Sequence, residues 1–252
     1  GLVLTLWNWG DNLTYLHDEV STDKRDPTMY PYGKVWGADI GLERLMYVDP
    51  VTNEVGWYQV PFLPGYNEDE ECGTVSPLDC FTLPDYGEIN GPHNPMLDEH
   101  GRVWLTTGLK PGTRGTEEAQ PEFCTDGSRG NMPLPLAPGR ELAYFDTATE
   151  EFVLIQVCQR THHLHFDADG ILWLSSGGGG RAMYWFDPGQ FDPNDPRGTE
   201  AQAQDWRHVV VDSDGGGEAD TSTTVSGVTI GNGYGIIPNL ADGTVWFANT
   251  AF

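Results

Sequence analysis

One pattern recurs along this 252-residue chain. It reads RDPTMYPYGKVWG at 25–37, HNPMLDEHGRVWL at 93–105 and HHLHFDADGILWL at 162–174, and its ending returns in GIIPNLADGTVWF at 235–247. The tryptophans that close it, Trp36, Trp104, Trp173 and Trp246, stand 68, 69 and 73 residues apart. Self-similarity at a fixed period means a row of like supersecondary units rather than one irregular fold.

Each copy turns at a glycine and runs into an apolar stretch such as Arg102-Val103-Trp104-Leu105 or Ile171-Leu172-Trp173-Leu174, which is the signature of a hairpin. A second pair follows, for example Leu142-Ala143-Tyr144-Phe145-Asp146 and Phe152-Val153-Leu154-Ile155. Two hairpins per repeat make a four-stranded meander, and a radial array of meanders is a β-propeller. The expected fold is therefore all-β, a single propeller domain or propeller segment of three and a half to four blades, near residues 25–60, 93–157, 162–211 and 235–252. Blades of about 40–50 residues leave an excess. It falls in Pro- and acid-rich connectors at 61–92, 109–139 and 188–204. No stretch free of Gly and Pro holds a 3.6-residue apolar period, so long helices are not expected. Closed propellers need four blades or more. We therefore expect a segment of a larger propeller, with closure of four blades by the strand Leu2–Trp7 as the alternative.

The chain has 32 Gly, 18 Pro, 9 Trp, 10 Tyr and 10 Phe, the turn density and bulky strand side chains of an all-β protein. Asp and Glu outnumber Lys and Arg by 38 to 13, for a formal net charge of -25. Nucleic acid and anionic membrane surfaces are repelled by such a field. The same acidity suits life in salt, secretion into a calcium-rich medium, or a basic partner. No run of 18 apolar residues is present to span a membrane as a helix.

Cys72, Cys80, Cys124 and Cys158 have seven residues between the first two and long gaps after, which is not a zinc spacing. They are expected to form two disulfides, most simply Cys72–Cys80 and Cys124–Cys158, among three possible connectivities. Disulfides place a protein outside the cytoplasm, secreted or periplasmic.

Alignment on the tryptophans puts Arg25, His93, His162 and Gly235 at one position, with Asp26, Asn94 and His163 beside them. In a propeller the innermost strands line the channel, so these residues are expected to converge at its mouth. His93 and His162 are the candidate catalytic bases. Arg25, Asn94 and His163 are the candidate ligand-binding groups. Histidine occurs 7 times in the chain, so three within Thr161-His162-His163-Leu164-His165 is a concentration. His17, beside Asp18 and Glu19, reads as an oriented base, as a metal-ligand cluster, or as part of a solvated polar loop. The segment Asp212-Ser213-Asp214-Gly215-Gly216-Gly217-Glu218-Ala219-Asp220 places Asp212, Asp214, Glu218 and Asp220 around flexible glycines, as calcium loops do, although Gly216 stands where a fifth-place ligand is usual. Calcium or magnesium is the cation expected, and no organic cofactor. Gly177–Gly180 lacks the Lys-Ser or Lys-Thr of a phosphate loop.

The repeated Pro/His-x-x-x-x-Asp-x-x-Gly-x-x-Trp, followed by Tyr/Phe-Asp-x-x-Thr at Asp49–Thr52 and Asp146–Thr149, resembles the repeat of streptogramin (virginiamycin B) lyase-like propellers. Trp-x-Trp-Gly at 7–10, Leu16-His17-Asp18, His93-Asn94-Pro95-Met96, Phe123-Cys124 and Thr161-His162-His163 are more closely similar to large secreted bacterial proteins. In those proteins such a propeller is joined to a carboxypeptidase-regulatory-like β-sandwich. The resemblance to the lyases implies ring opening of a cyclic ester by elimination, with a His base and a divalent cation on the carbonyl. Only the placement of His93 and His162 carries over. Two functions are open on this reading. One is a metal-assisted carbon–oxygen lyase with Arg25 holding a carboxylate. The other is a non-catalytic propeller that binds a protein or glycan partner or serves as an assembly subunit, with closure by another chain or by missing blades; the ligand, whether small molecule, glycan or protein, is open.

Overall fold

A computed structural model of the chain describes residues 16–40, 42–64, 91–110, 120–125, 140–175, 182–208, 216, 224–225, 228–229 and 233–249. The chain is an all-β protein built from four-stranded antiparallel meanders. Among the described residues it has three four-stranded antiparallel sheets and two hairpins. The first sheet is β1 (Leu16–Val20), β2 (Val35–Asp39), β3 (Arg44–Asp49) and β4 (Glu54–Gln59). The second is β5 (His93–Leu97), β6 (Arg102–Thr107), β7 (Glu141–Asp146) and β8 (Glu151–Ile155). The third is β9 (Leu164–Phe166), β10 (Leu172–Leu174), β11 (Ala182–Phe186) and β12 (Gln204–His208). Each follows chain order, as the two-hairpin repeat requires. The hairpins are β13 (Thr224–Val225) with β14 (Val228–Thr229), and β15 (Gly233–Pro238) with β16 (Val245–Asn249).

The chain divides into two compact units. One comprises residues 1–112 and 143–154, the other residues 113–142 and 155–252. In the first, the two sheets bury a common core of Val20, Trp36, Leu45, Val60, Leu97, Val103, Leu105, Ala143 and Phe145. Burial of large strand side chains on this scale is the main force holding a propeller unit together.

The repeat signature has a physical cause. Asp98 ends β5, and its Oδ1 accepts the backbone N–H groups of His100 and Arg102, both at 2.9 Å. Its Oδ2 accepts Arg102 Nε at 2.6 Å and the indole Nε1 of Trp104 at 2.8 Å. Asp167 does the same one repeat later, holding the N–H groups of Asp169 and Ile171 and the indole of Trp173 at 2.7 Å. A single carboxylate thus closes the turn and locks the tryptophan six residues on. The intervening Gly101 and Gly170 have φ of 77° and 84°, in the left-handed region where a side chain is strained.

The end repeats depart from this pattern. The first has Tyr30 in place of the aspartate, at φ 54°, and its hydroxyl donates across to the Asp98 carbonyl at 2.8 Å. The last has Leu240 there. The indole of Trp246 donates instead to Thr244 Oγ1, and the ring is 68% exposed.

The expected boundary of the first blade needs correction. Residues 25–33 form turns rather than a strand, and the first strand is β1, beginning at Leu16. The connector expected at 188–204 also holds more structure than a loop. A 3-10 turn at Pro188–Gln190 is followed by the helix α2 (Pro196–Ala203), after the short α1 (Glu122–Thr125). Asp195 caps α2 by accepting the N–H of Gly198, and Pro196 stands at its first turn, where the missing N–H costs nothing. In α2, Glu200 is fully buried; it accepts the N–H of Gln156 and pairs with Arg197.

The expected Cys124–Cys158 disulfide is formed, with both residues buried. Cys72 and Cys80 lie outside the described residues. Among the described residues no helix is long and apolar enough to cross a membrane.

Candidate functional site

Strand register, rather than spacing along the chain, decides which residues are equivalent. His93 pairs with Thr106, two residues beyond Trp104. The matching partner in the first sheet, two residues beyond Trp36, is Ala38, and it pairs with His17. In the third sheet the matching residue is Ser175. Its carbonyl accepts the N–H of His162, and its own N–H donates to His163 O. The position therefore holds His17, His93 and His162/His163. Arg25 falls out of it, because the turns of residues 21–34 lengthen the link between β1 and β2.

The polar segment at 16–20 is therefore a strand and not a solvated loop. Both β1 and β5 carry an irregularity just after the shared histidine position, between His17 and Glu19 and between His93 and Met96. The residues displaced there, Asp18 and Asn94, have φ of 60° and 52°. Bulges re-aim side chains next to functional positions, and positive φ in a residue with a side chain costs about 1–3 kcal/mol. In the first unit the result is a contact between the His93 Nδ1 and the Asp18 Oδ2 at 3.3 Å. The imidazole is 4% exposed and the carboxylate 35%. The carboxylate stands beside Nδ1 at ion-pair distance, outside hydrogen-bond geometry.

Arg25 is engaged by the chain's own acids. Its guanidinium lies along both oxygens of the buried Asp23, with Nη2 2.7 Å from Oδ2, and also contacts Glu99. Its charge is thus matched within the first unit. Asn94 is buried beside His93 in β5.

The second unit holds a different arrangement. The Nδ1 atoms of His162 and His163 lie 3.1 Å apart, and His163 Nδ1 is 2.8 Å from the main-chain oxygen of Tyr234. Ser175 Oγ accepts the His163 N–H at 2.9 Å and donates to the same Tyr234 oxygen at 2.7 Å. The Tyr234 ring packs against both imidazoles, with centroids at 4.6 and 5.0 Å. Nothing in the one-dimensional pattern marked Tyr234 or Ser175, since their role comes from a main-chain carbonyl and from strand pairing. The acidic group Asp212, Asp214, Glu218 and Asp220 lies outside the described residues.

The first unit also has an open cleft of about 260 Å³, lined in part by Tyr30, Lys34, Trp36, Tyr58, Phe145 and Glu150. The Tyr58 hydroxyl donates to Glu150 at 2.8 Å. Burial, and then that carboxylate, pushes its pKa up to about 12. Tyr144 and Tyr184 are likewise raised by burial. A tyrosine whose folded pKa exceeds its unfolded value near 10 contributes fully below pH 10, and its contribution is lost as the pH climbs toward the folded value. Stability is therefore expected to fall between pH 10 and about 12. Urea melts across that range, read beside tyrosinate absorbance, check this. An unchanged midpoint would contradict the burial argument.

No protein-family model matches the chain, and no curated protein does. Solved structures do, at the level of fold. A streptogramin B lyase aligns with TM-score 0.42 and 12% identity, over 88% of this chain and 49% of its own. A virginiamycin B lyase from Staphylococcus aureus, in a catalytically inactive form with quinupristin, aligns with TM-score 0.43 and 11% identity, over 92% and 48%. A gluconolactonase from Xanthomonas campestris gives 0.38 and 13%, over 72% and 46%. The chain spans about half the length of these structures.

Proposed function

We propose that this chain belongs to an extracytoplasmic propeller enzyme of the carbon–oxygen lyase type, in which His93 removes the proton next to a substrate carbonyl. The observation that carries this reading is the contact between His93 and Asp18, built from two bulged strands of one unit. Asp18 orients the ring and stabilises the imidazolium that forms. Proton transfer by a positioned histidine contributes about 10²–10⁴-fold to rate. His162, the other candidate base, lies in the second unit and takes no part in this step. A divalent cation is the expected electrophile, and the imidazole and carboxylate donors at His93 and Asp18 are of the type that binds one. When bound, the cation would supply polarisation of the carbonyl oxygen. The disulfide Cys124–Cys158 supports a secreted or periplasmic setting.

The test is turnover of lactones and uronic-acid polymers, followed by the ultraviolet absorbance of the new carbon–carbon double bond that forms beside the carbonyl as the carbon–oxygen bond breaks. His93→Ala is expected to lose roughly 10²–10⁴-fold, and Asp18→Asn to lose less, with the fold of both verified by circular dichroism. Wild-type turnover in both variants would end the assignment.

One observation favours a second reading, in which the propeller binds a partner without catalysis. The β15–β16 hairpin has two strands and exposes Ile237 by 62% and Trp246 by 68%. A strand pair with an apolar face suits completion by another chain. Absence of any turnover together with self-association in sedimentation would support it.

A further inference from the structure

We infer that the second unit carries a transition-metal site formed by Nδ1 of His162, Nδ1 of His163 and the main-chain oxygen of Tyr234. The argument starts from proton counting. The two Nδ1 atoms face each other at 3.1 Å, and the carbonyl oxygen stands 2.8 Å from one of them. An imidazole–imidazole hydrogen bond needs one ring nitrogen with a proton and one without. If His163 Nδ1 carries it, that single proton serves both His162 Nδ1 and Tyr234 O. Three donor atoms are thereby directed at one hydrogen.

A metal ion satisfies the same set better. Two nitrogens at about 2.0–2.1 Å from one ion, at angles of about 90–110°, stand about 2.9–3.4 Å apart. The observed 3.1 Å falls inside that range without rearrangement. Loading would move the shared proton from Nδ1 to Nε2 of His163, a change of tautomer that keeps both rings neutral and frees both Nδ1 lone pairs for the ion.

The surroundings hold the donors in place. The Ser175 hydroxyl is oriented by the His163 N–H and donates to the Tyr234 carbonyl, using one of its two lone pairs and leaving the other. The Tyr234 ring covers both imidazoles. Support of this kind around ligands is what fixes a metal site.

Ligand chemistry sets the class of ion. Imidazole nitrogen suits Zn²⁺, Co²⁺, Ni²⁺ or Cu²⁺, whereas Ca²⁺ and Mg²⁺ require oxygen ligands. The ion assigned here therefore differs from the calcium or magnesium expected from sequence. The formal charge of -25 raises the local concentration of any cation. This inference does not depend on the role proposed for His93; loss of turnover in His93→Ala with metal retained by these residues would leave it standing.

The experiment titrates the metal-free protein with Co²⁺ and Zn²⁺, following the cobalt spectrum and its displacement by zinc, with Ca²⁺ and Mg²⁺ as controls. Tight binding lost by about 100-fold or more in His162→Ala and His163→Ala is expected, with a loss of roughly 10-fold in Ser175→Ala. Tyr234→Phe should bind as wild type, because the ligand is the carbonyl. If a variant fails to fold, Cu²⁺-loaded wild-type protein is examined by electron paramagnetic resonance, where two directly coordinated imidazole nitrogens are expected. Unaltered binding in the folded histidine variants would place the metal elsewhere, for example at exposed His100, and overturn the site. So would fewer than two coordinated nitrogens, no binding by wild type, or equal affinity for Ca²⁺.

Discussion

Replacing Asp98 with alanine is expected to destabilise the first unit by about 3–5 kcal/mol. The carboxylate is 1% exposed and accepts four N–H groups, from His100, Arg102 twice and Trp104. Its loss leaves a buried indole N–H, two main-chain N–H groups and a guanidinium to find other partners. Trp104 itself is fully buried, so water reaches its indole only by opening the core. At roughly 2–4 °C per kcal/mol, the thermal midpoint should fall by about 6–20 °C. Asp167→Ala supplies the internal comparison. There the corresponding tryptophan, Trp173, is half-buried and no arginine joins the clamp, so a loss of about 1–3 kcal/mol is expected. Calorimetry on both variants decides the matter. Equal effects, or a loss below 1 kcal/mol for Asp98→Ala, would mean that the carboxylate is not the element holding the turn.

Removal of the Cys124–Cys158 disulfide is expected to cost the second unit roughly 3–4 kcal/mol, the value for a closed loop of a few tens of residues. The two cysteines are 34 residues apart. The native side of the link is well supported. Cys158 N–H donates to the Gln204 side chain, whose amide in turn donates to the carbonyls of Gln156 and Glu200. Because α2 and β12 grip the segment independently, the double Cys→Ala variant should keep the native far-ultraviolet spectrum while melting earlier. Urea melts with and without reductant measure the shift. A midpoint indifferent to both reductant and substitution would show that this loop is already restricted when the chain unfolds.

The spacing of the tryptophans made the all-β meander legible, because Asp98 and Asp167 each anchor an indole at a fixed distance along the chain and any lengthening there would break the clamp. The same device explains what could not be read. In the first repeat the clamp is absent and the turn before β2 is longer, so an alignment on Trp36 moved Arg25 into the position that strand pairing gives to His17. The charge of Arg25 looked available in one dimension, but Asp23 lies two residues away and Glu99 in the next sheet. His93, His162 and His163 were marked by rarity. Asp18 was marked only as a neighbour of His17, and Ser175 and Tyr234 not at all, since a bulge, a hydroxyl opposite a strand and a carbonyl leave no trace in residue type. The helix α2 escaped a search for apolar periodicity because its stability comes from a cap and a buried glutamate.

The missing clamp in the last repeat has an optical consequence. Trp246 lies on the surface of the second unit, while Trp57, 51% exposed with the Arg44 guanidinium 4.7 Å from its ring, lies on the first. Among the described residues, a neutral collisional quencher therefore reaches Trp57 and Trp246 most readily and misses the interior Trp36 and Trp104. Exchanging Trp57 or Trp246 for phenylalanine removes the most exposed described indole of its unit, so the quenching that disappears reports on that unit.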